Sequence, residues 1–205
     1  IGSIEASREV IDNAPLLPYF EREFREDALV RSVHYGTHIE GNELNLSEAE
    51  KVIKGQEVVA RDRDIQEVIN YRKAMDYINR FHPKDRKEEI TEGVIKELHK
   101  LTVDKILPEE QMGNFRKTQV VVKNSQTGEV SFRPPMAVAI TFQVKDLLEF
   151  INTSDEENIN PVLKSGAVHY ELVRIHPFLD GNGRVARAFA PLILYKEGYD
   201  IRKFF

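Results

Sequence analysis

Apolar residues return every three or four positions along most of this chain, the spacing that lines one face of an α-helix. A short helix is predicted over 4–11, ended by Pro15 and Pro18. Phe20, Phe24, Leu29, Val33 and Ile39 mark a second over 19–39, stopped by Gly41 and Asn42, which both tolerate left-handed φ. Ser47-Glu48-Ala49-Glu50 reads as a capping box opening a short helix with Val52 and Ile53 inward. Ile65, Val68, Ile69, Met75 and Ile78 outline a long amphipathic helix over 63–81, and Val94, Ile95, Leu98 and Leu101 another over 91–102.

The period changes between Pro108 and Pro135. Thr118, Gln119, Val120, Val121 and Val122 form a short β-branched run, residues 130–133 alternate, and 124–128 is turn chemistry, so a β-hairpin is expected. Two strands alone are marginal in water, which implies that the hairpin packs against something or serves as a docking edge. Helices resume over 138–152 and 161–175. A last one over 182–197, closed by Gly198, is apolar almost all round (Val185, Ala186, Ala188, Phe189, Leu192, Ile193), the mark of a buried central helix. The fold class is therefore mostly α: a helical bundle with a β-hairpin. No internal repeat or low-complexity segment interrupts it, and the charge run from Lys84 to Lys87 reads as a solvated loop.

Composition narrows the function. The net charge of -5 argues against a general nucleic-acid binder, which needs clustered Lys and Arg. No apolar run is long enough to span a bilayer. With no cysteine, disulfides, zinc thiolate sites and thiol catalysis are excluded, in keeping with a reducing, cytoplasmic setting. The chain opens on Ile1 and stops at Phe205 without a polar tail, so it reads as a piece of a longer protein.

Candidate chemistry concentrates in His176-Pro177-Phe178-Leu179-Asp180-Gly181-Asn182-Gly183-Arg184, with Arg187 one helical step on. Gly181 and Gly183 flank Asn182 just before the apolar helix, letting successive backbone N–H groups converge where the helix N-terminus adds its own free donors. That is a nest for phosphate. Arg184 and Arg187, three apart, are expected on one face as an anion clamp. Asp180 is a hard oxygen ligand suited to Mg²⁺ bridging phosphates, and His176 titrates near neutrality, as a general base should.

This segment resembles the motif of the Fic family, HxFx(D/E)GNGRxxR, at every fixed position. The resemblance extends over about 20–198. Ile39-Glu40-Gly41-Asn42 is similar to the inhibitory helix of relatives that carry it before the core, and Gly113-Asn114-Phe115-Arg116 with the following hairpin is similar to the family's flap. It implies a helical segment over 1–82, with the inhibitory helix at about 20–40, and a Fic catalytic core over 83–205 whose adenine wall is cut short at the C-terminus. The activity implied is transfer of AMP from ATP to a Ser, Thr or Tyr hydroxyl of a target protein, with self-modification and a homodimer as further implications. By the family pattern His176 is the base and Asp180 holds Mg²⁺. Gly181, Asn182 and Gly183 form the nest, Arg184 contacts phosphate, Arg187 grips the γ-phosphate, and the 118–122 edge holds the target by strand addition. Glu40 would pair with Arg187 and so deny it to ATP.

One departure stands out. The inhibitory pattern has Ser or Thr four residues before the Glu, where this chain has Gly36, which suggests a loosely held clamp. Three other readings of function stay open: removal of AMP by a water that Glu40 orients, transfer of a different phosphoryl group, and a nucleotide-sensing module. His34 and His38 have the spacing of a helical zinc pair but no third ligand, so ordinary surface or interface histidines are expected. His169 either supports the loop or is a polar core contact. Tyr71, Tyr77 and Phe81 read as core residues.

Overall fold

A computed structural model describes residues 1–80, 88–123, 127–153 and 159–203. Among these residues eight α-helices follow one another: α1 Gly2–Asn13, α2 Pro18–His38, α3 Leu46–Ile53, α4 Asp62–Ile78, α5 Glu92–Val103, α6 Ile140–Thr153, α7 Pro161–Ile175 and α8 Asn182–Lys196. A two-stranded antiparallel hairpin, β1 Val122–Lys123 and β2 Val130–Phe132, lies between α5 and α6. The mostly helical class is as the periodicity predicts. The charge run at 84–87 and Phe81 lie outside the described residues.

α8 is the axis. Its Val185, Ala186, Ala188, Phe189, Leu192 and Ile193 are all fully buried, as an all-round apolar helix requires. α7 packs along it most extensively, with α5, α4 and α2 on its other sides. One apolar cluster runs from Val33 on α2 through Val68, Ile95, Val144 and Leu172 to Tyr195, so segments on both sides of position 82 share a core.

Two expectations need correction. The capping residue of α3 is Asn45, not Ser47: Asn45 Oδ1 accepts from Glu48 N–H at 3.0 Å, and Glu48 Oε2 accepts from Asn45 N–H at 2.9 Å. Ser47 lies inside the helix, because the reciprocal pair needs a Glu three residues after the cap and Glu48 answers Asn45. The hairpin is also shorter and later than predicted. Of the expected edge only Val122 is in a strand; Thr118, Gln119, Val120 and Val121 lie outside both strands. Local bonds displace the ladder there, since Thr118 C=O accepts from Arg116 Nη1 at 3.0 Å and Gln119 Nε2 donates to Pro134 C=O at 2.9 Å. Asn124 and the two residues after it, the first part of the predicted turn, lie outside the described residues.

Candidate active site

α7 ends where His176 takes a left-handed conformation (φ 51°), unusual for a residue with a side chain. Its N–H still bonds Leu172 C=O, while the chain turns sharply into the loop. Arg116 holds that turn. Its buried guanidinium donates to the carbonyls of His176 (2.8 Å), Pro135 (2.7 Å) and Thr118, and its own N–H bonds Pro177 C=O at 2.8 Å. The turn and both ends of the flap are thus tied to one residue, noticed in the sequence only as part of the flap pattern.

Asn182 staples the loop from inside. Its Oδ1 accepts from Phe178 N–H at 2.8 Å and its Nδ2 donates to Phe178 C=O at 2.9 Å. The Asn182 side chain is therefore a scaffold and not a ligand, buried because it satisfies both polar groups of a buried backbone unit. Gly181 caps α8 with φ 79°, and a Cβ there would press into Val103 Cγ1, so the tight turn needs glycine.

His176 Nδ1 faces Val173 C=O at 3.3 Å, which assigns the ring proton to Nδ1 and leaves Nε2 as the basic nitrogen. Burial pushes its pKa below the usual histidine value, with Arg116 acting the same way; Val173 C=O and the carboxylates of Glu40 and Asp180 oppose the shift. The imidazole is then neutral at neutral pH, the state a base requires. For Asp180, burial works upward, but Arg184, the Gly181 N–H and Arg63 outweigh it and hold the carboxyl below its ordinary range. Its Oδ1 accepts from Gly181 N–H (2.6 Å) and Arg184 Nη2 (3.3 Å), and its Oδ2 from Arg63 Nη2 (3.2 Å).

The two arginines do not share a clamp. Arg184, 1% exposed, turns inward to Glu67 of α4, with Nη1 3.0 Å from Oε1, while its Nε–H has no acceptor among the described residues. Glu67 is buried and needs a cation, and it also accepts from Asn42 Nδ2 at 3.1 Å. Arg187 turns the other way, to the end of α2: Nη2 bonds Glu40 Oε1 at 2.8 Å and Nε bonds Gly36 C=O at 3.1 Å. A Cβ at Gly183 would overlap Glu40 Oε1 and come within 3.0 Å of Arg187 Nη1. The Glu40 carboxylate thus rests on the first turn of α8, where the unpaired N–H groups of a helix favour negative charge.

Gly36 does not break α2. α2 runs unbroken to His38, and a Cβ at Gly36 would overlap the ring of buried Tyr71, whose Oη would be 2.9 Å away. The Tyr71 ring fills the space that a Ser or Thr side chain would take. The His34 and His38 rings stack at 5.2 Å, His38 Nδ1 meets Asn42 C=O at 2.9 Å, and no metal-binding cluster includes them among the described residues. His169 is half-buried on α7, its pKa lowered by burial and by the Arg187 charge.

Sequence reasoning missed His99 of α5 altogether. It is fully buried beneath the loop, its ring parallel to Phe178 at 3.7 Å. Burial pushes its pKa down to about 4 against the opposing pull of Asp180. A lone His on the inward face of a helix gave no local signal of that place.

The profile of the Fic/DOC family matches residues 89–194. Protein adenylyltransferase fic-1 of Caenorhabditis elegans is 31% identical over 169 residues, 82% of this chain and 32% of that protein. Protein adenylyltransferase Fic of Drosophila grimshawi is 31% identical over 180 residues, 87% of this chain and 35% of that one. The chain thus spans about a third of the length of these curated relatives. Among solved structures, a Fic family protein from Desulfovibrio desulfuricans G20 matches with a TM-score of 0.77 at 28% identity, covering 98% of this chain and 57% of that one. A Fic domain containing signaling protein from Bacteroides thetaiotaomicron VPI-5482 matches in fold with a TM-score of 0.83 at 23% identity, over 96% and 72%.

Proposed function

The chain belongs to the Fic/DOC family, and from that premise we propose that it transfers AMP from ATP to a hydroxyl side chain of a target protein and is held off by Glu40. In this reaction the acceptor hydroxyl gives its proton to His176 Nε2 as its oxygen bonds the α-phosphorus. The bond from that phosphorus to the α–β bridging oxygen breaks, and pyrophosphate leaves. The Nδ1 contact to Val173 C=O, which leaves Nε2 as the basic nitrogen, and the lowered pKa of His176 support the base role.

The donor set fits Mg²⁺. Asp180 is a low-pKa carboxylate at the rim of the loop, and Mg²⁺ commonly takes one or two carboxylates with the remaining ligands from water and phosphate. Asp180 would hold the ion, which would neutralise charge on the α- and β-phosphates. The backbone N–H groups at Gly181, Asn182 and Gly183 are the donors for phosphate oxygens. Among the described residues Arg184 keeps one buried N–H without an acceptor, a cost that an anion can offset. The flap, anchored at both ends by Arg116, is the edge on which a target segment would lie.

The observation that carries the inhibited state is the seat of Glu40: its carboxylate takes up Arg187 and lies against Gly183 at the anion end of α8. The test is incubation with α-labelled or γ-labelled ATP, for the unchanged chain and Glu40→Gly. Label from the α position alone is expected, with initial rates about 5- to 150-fold higher in Glu40→Gly, the range for a contact of ~1–3 kcal/mol. Label from the γ position would mean a kinase. An unchanged or lower rate would remove Glu40 as an inhibitor, and slower loss of AMP from a pre-modified target would favour the hydrolytic reading.

A further inference from the structure

His99 makes a contact with each ring nitrogen, and the two are of opposite kinds. Its Nδ1 accepts from Gly113 N–H at 2.8 Å, at the root of the flap. A nitrogen that accepts carries no proton, so the proton of the neutral ring is on Nε2, which faces Asp180 C=O at 3.1 Å and donates to it. Stacking on Phe178 holds the ring plane, and full burial leaves no water to replace either bond.

The carbonyl of Asp180 belongs to the peptide that enters Gly181. In a trans peptide the C=O and N–H point in opposite directions. Turning the carbonyl inward to His99 therefore turns the Gly181 N–H outward, to the side where the Asp180 carboxylate receives it and where the nest opens. Gly181 has no side chain to resist a peptide flip, so its own conformation does not fix this direction. Among the described residues, His99 is the side chain that bonds the Asp180 carbonyl.

We infer that His99 is a positioning residue for the phosphate nest: its Nε2–H holds the Asp180–Gly181 peptide carbonyl-inward, and its Nδ1 fixes that tautomer through the flap root at Gly113. The structural part rests on these contacts alone; the consequence for nucleotide rests on the proposed nest.

Two isosteric substitutions separate the ring's two roles. Gln at 99 presents an amide donor near the place of Nε2, and Asn presents an acceptor near that of Nδ1. Crystal structures of His99→Gln and His99→Asn without nucleotide are expected to show the peptide retained in the first and turned in the second. A retained peptide in His99→Asn overturns the inference. Calorimetric titration with Mg²⁺-ATP, with Glu40→Gly added to both, is expected to show affinity within about twofold of the Glu40→Gly parent for Gln and about tenfold weaker for Asn, the equivalent of one net hydrogen bond of ~1.4 kcal/mol. Equal losses, or the reverse order, would mean that His99 acts only as packing or through the flap root. A parent that fails to bind Mg²⁺-ATP would count against the nest reading, while the peptide's direction still decides the role of His99. Should His99→Asn fail to fold, a turned peptide or tenfold loss in His99→Gln overturns the inference by itself.

Discussion

At the scale of single residues, His176 joins two demands that conflict. Its left-handed φ of 51° would suit glycine, yet the base role proposed for it needs an imidazole there. His176→Ala is expected to lower AMP transfer by about 10²–10⁴ while Mg²⁺-ATP binding, measured by calorimetry, stays close to that of the unchanged chain. The pH profile follows from its lowered pKa: the base works neutral, so the rate is flat near neutrality and falls only as pH drops through a value below the usual histidine range. An inflection above pH 7 would mean that another group titrates. Gly36 is a second case. Gly36→Ser would drive a side chain into Tyr71 and is expected to destabilise the fold by about 1–3 kcal/mol, as overpacking does. It should also loosen the Glu40 contact and raise basal self-modification. Thermal denaturation of Gly36→Ser, Tyr71→Ala and the double variant tests this: positive coupling, in which the second change relieves the first, is expected. A serine that raised the melting temperature would show that the pocket has room.

Among the elements, α3 and the segment before it set the geometry of the turn that carries Glu40. Asn42 reaches from that turn to Glu67 and to Asp64 C=O, and Asn45 then starts α3 at once. Asn45→Ala should cost about 1 kcal/mol and lower the melting temperature, as loss of an N-cap does. Ser47→Ala, inside the helix, should stay within about 0.5 kcal/mol. The reverse order would return the cap to Ser47. α8 reaches the end of α2 through Arg187, which bonds Gly36 C=O and Glu40, and α4 carries Tyr71 against Gly36 and Glu67 against Arg184. The flap has little ladder of its own and owes its position to Arg116 at its base.

Over the whole molecule, the α7–α8 pair is the frame that aims the loop between them, and a buried ion pair crosses it. Lys164 Nζ lies 2.6 Å from Glu197 Oε1, with the Lys164 side chain only 2% exposed. Glu197→Ala would take one carboxylate from a buried ammonium that keeps other interactions, and is expected to cost about 1–3 kcal/mol in urea unfolding. A cost for Glu197→Ala below about 1 kcal/mol would show that Lys164 does not depend on it. Among the described residues no helix is long and apolar enough to cross a membrane. The sequence by itself determined the helices of this protein, because their faces recur at 3.6 residues, and the grouping of His176, Asp180, Gly181 and Gly183 in one loop, because they are neighbours along the chain. It also pointed to Glu40 and Arg187, 147 positions apart, through a recognisable pattern at each end. Only the tertiary structure decided that Arg184 turns to Glu67, 117 positions away, that Tyr71 replaces a side chain at 36, and that His99 lies beneath the loop. Those choices arise when packed helices bring distant polar groups into one dry interior. There each must find a partner, and no local spacing records which one it finds.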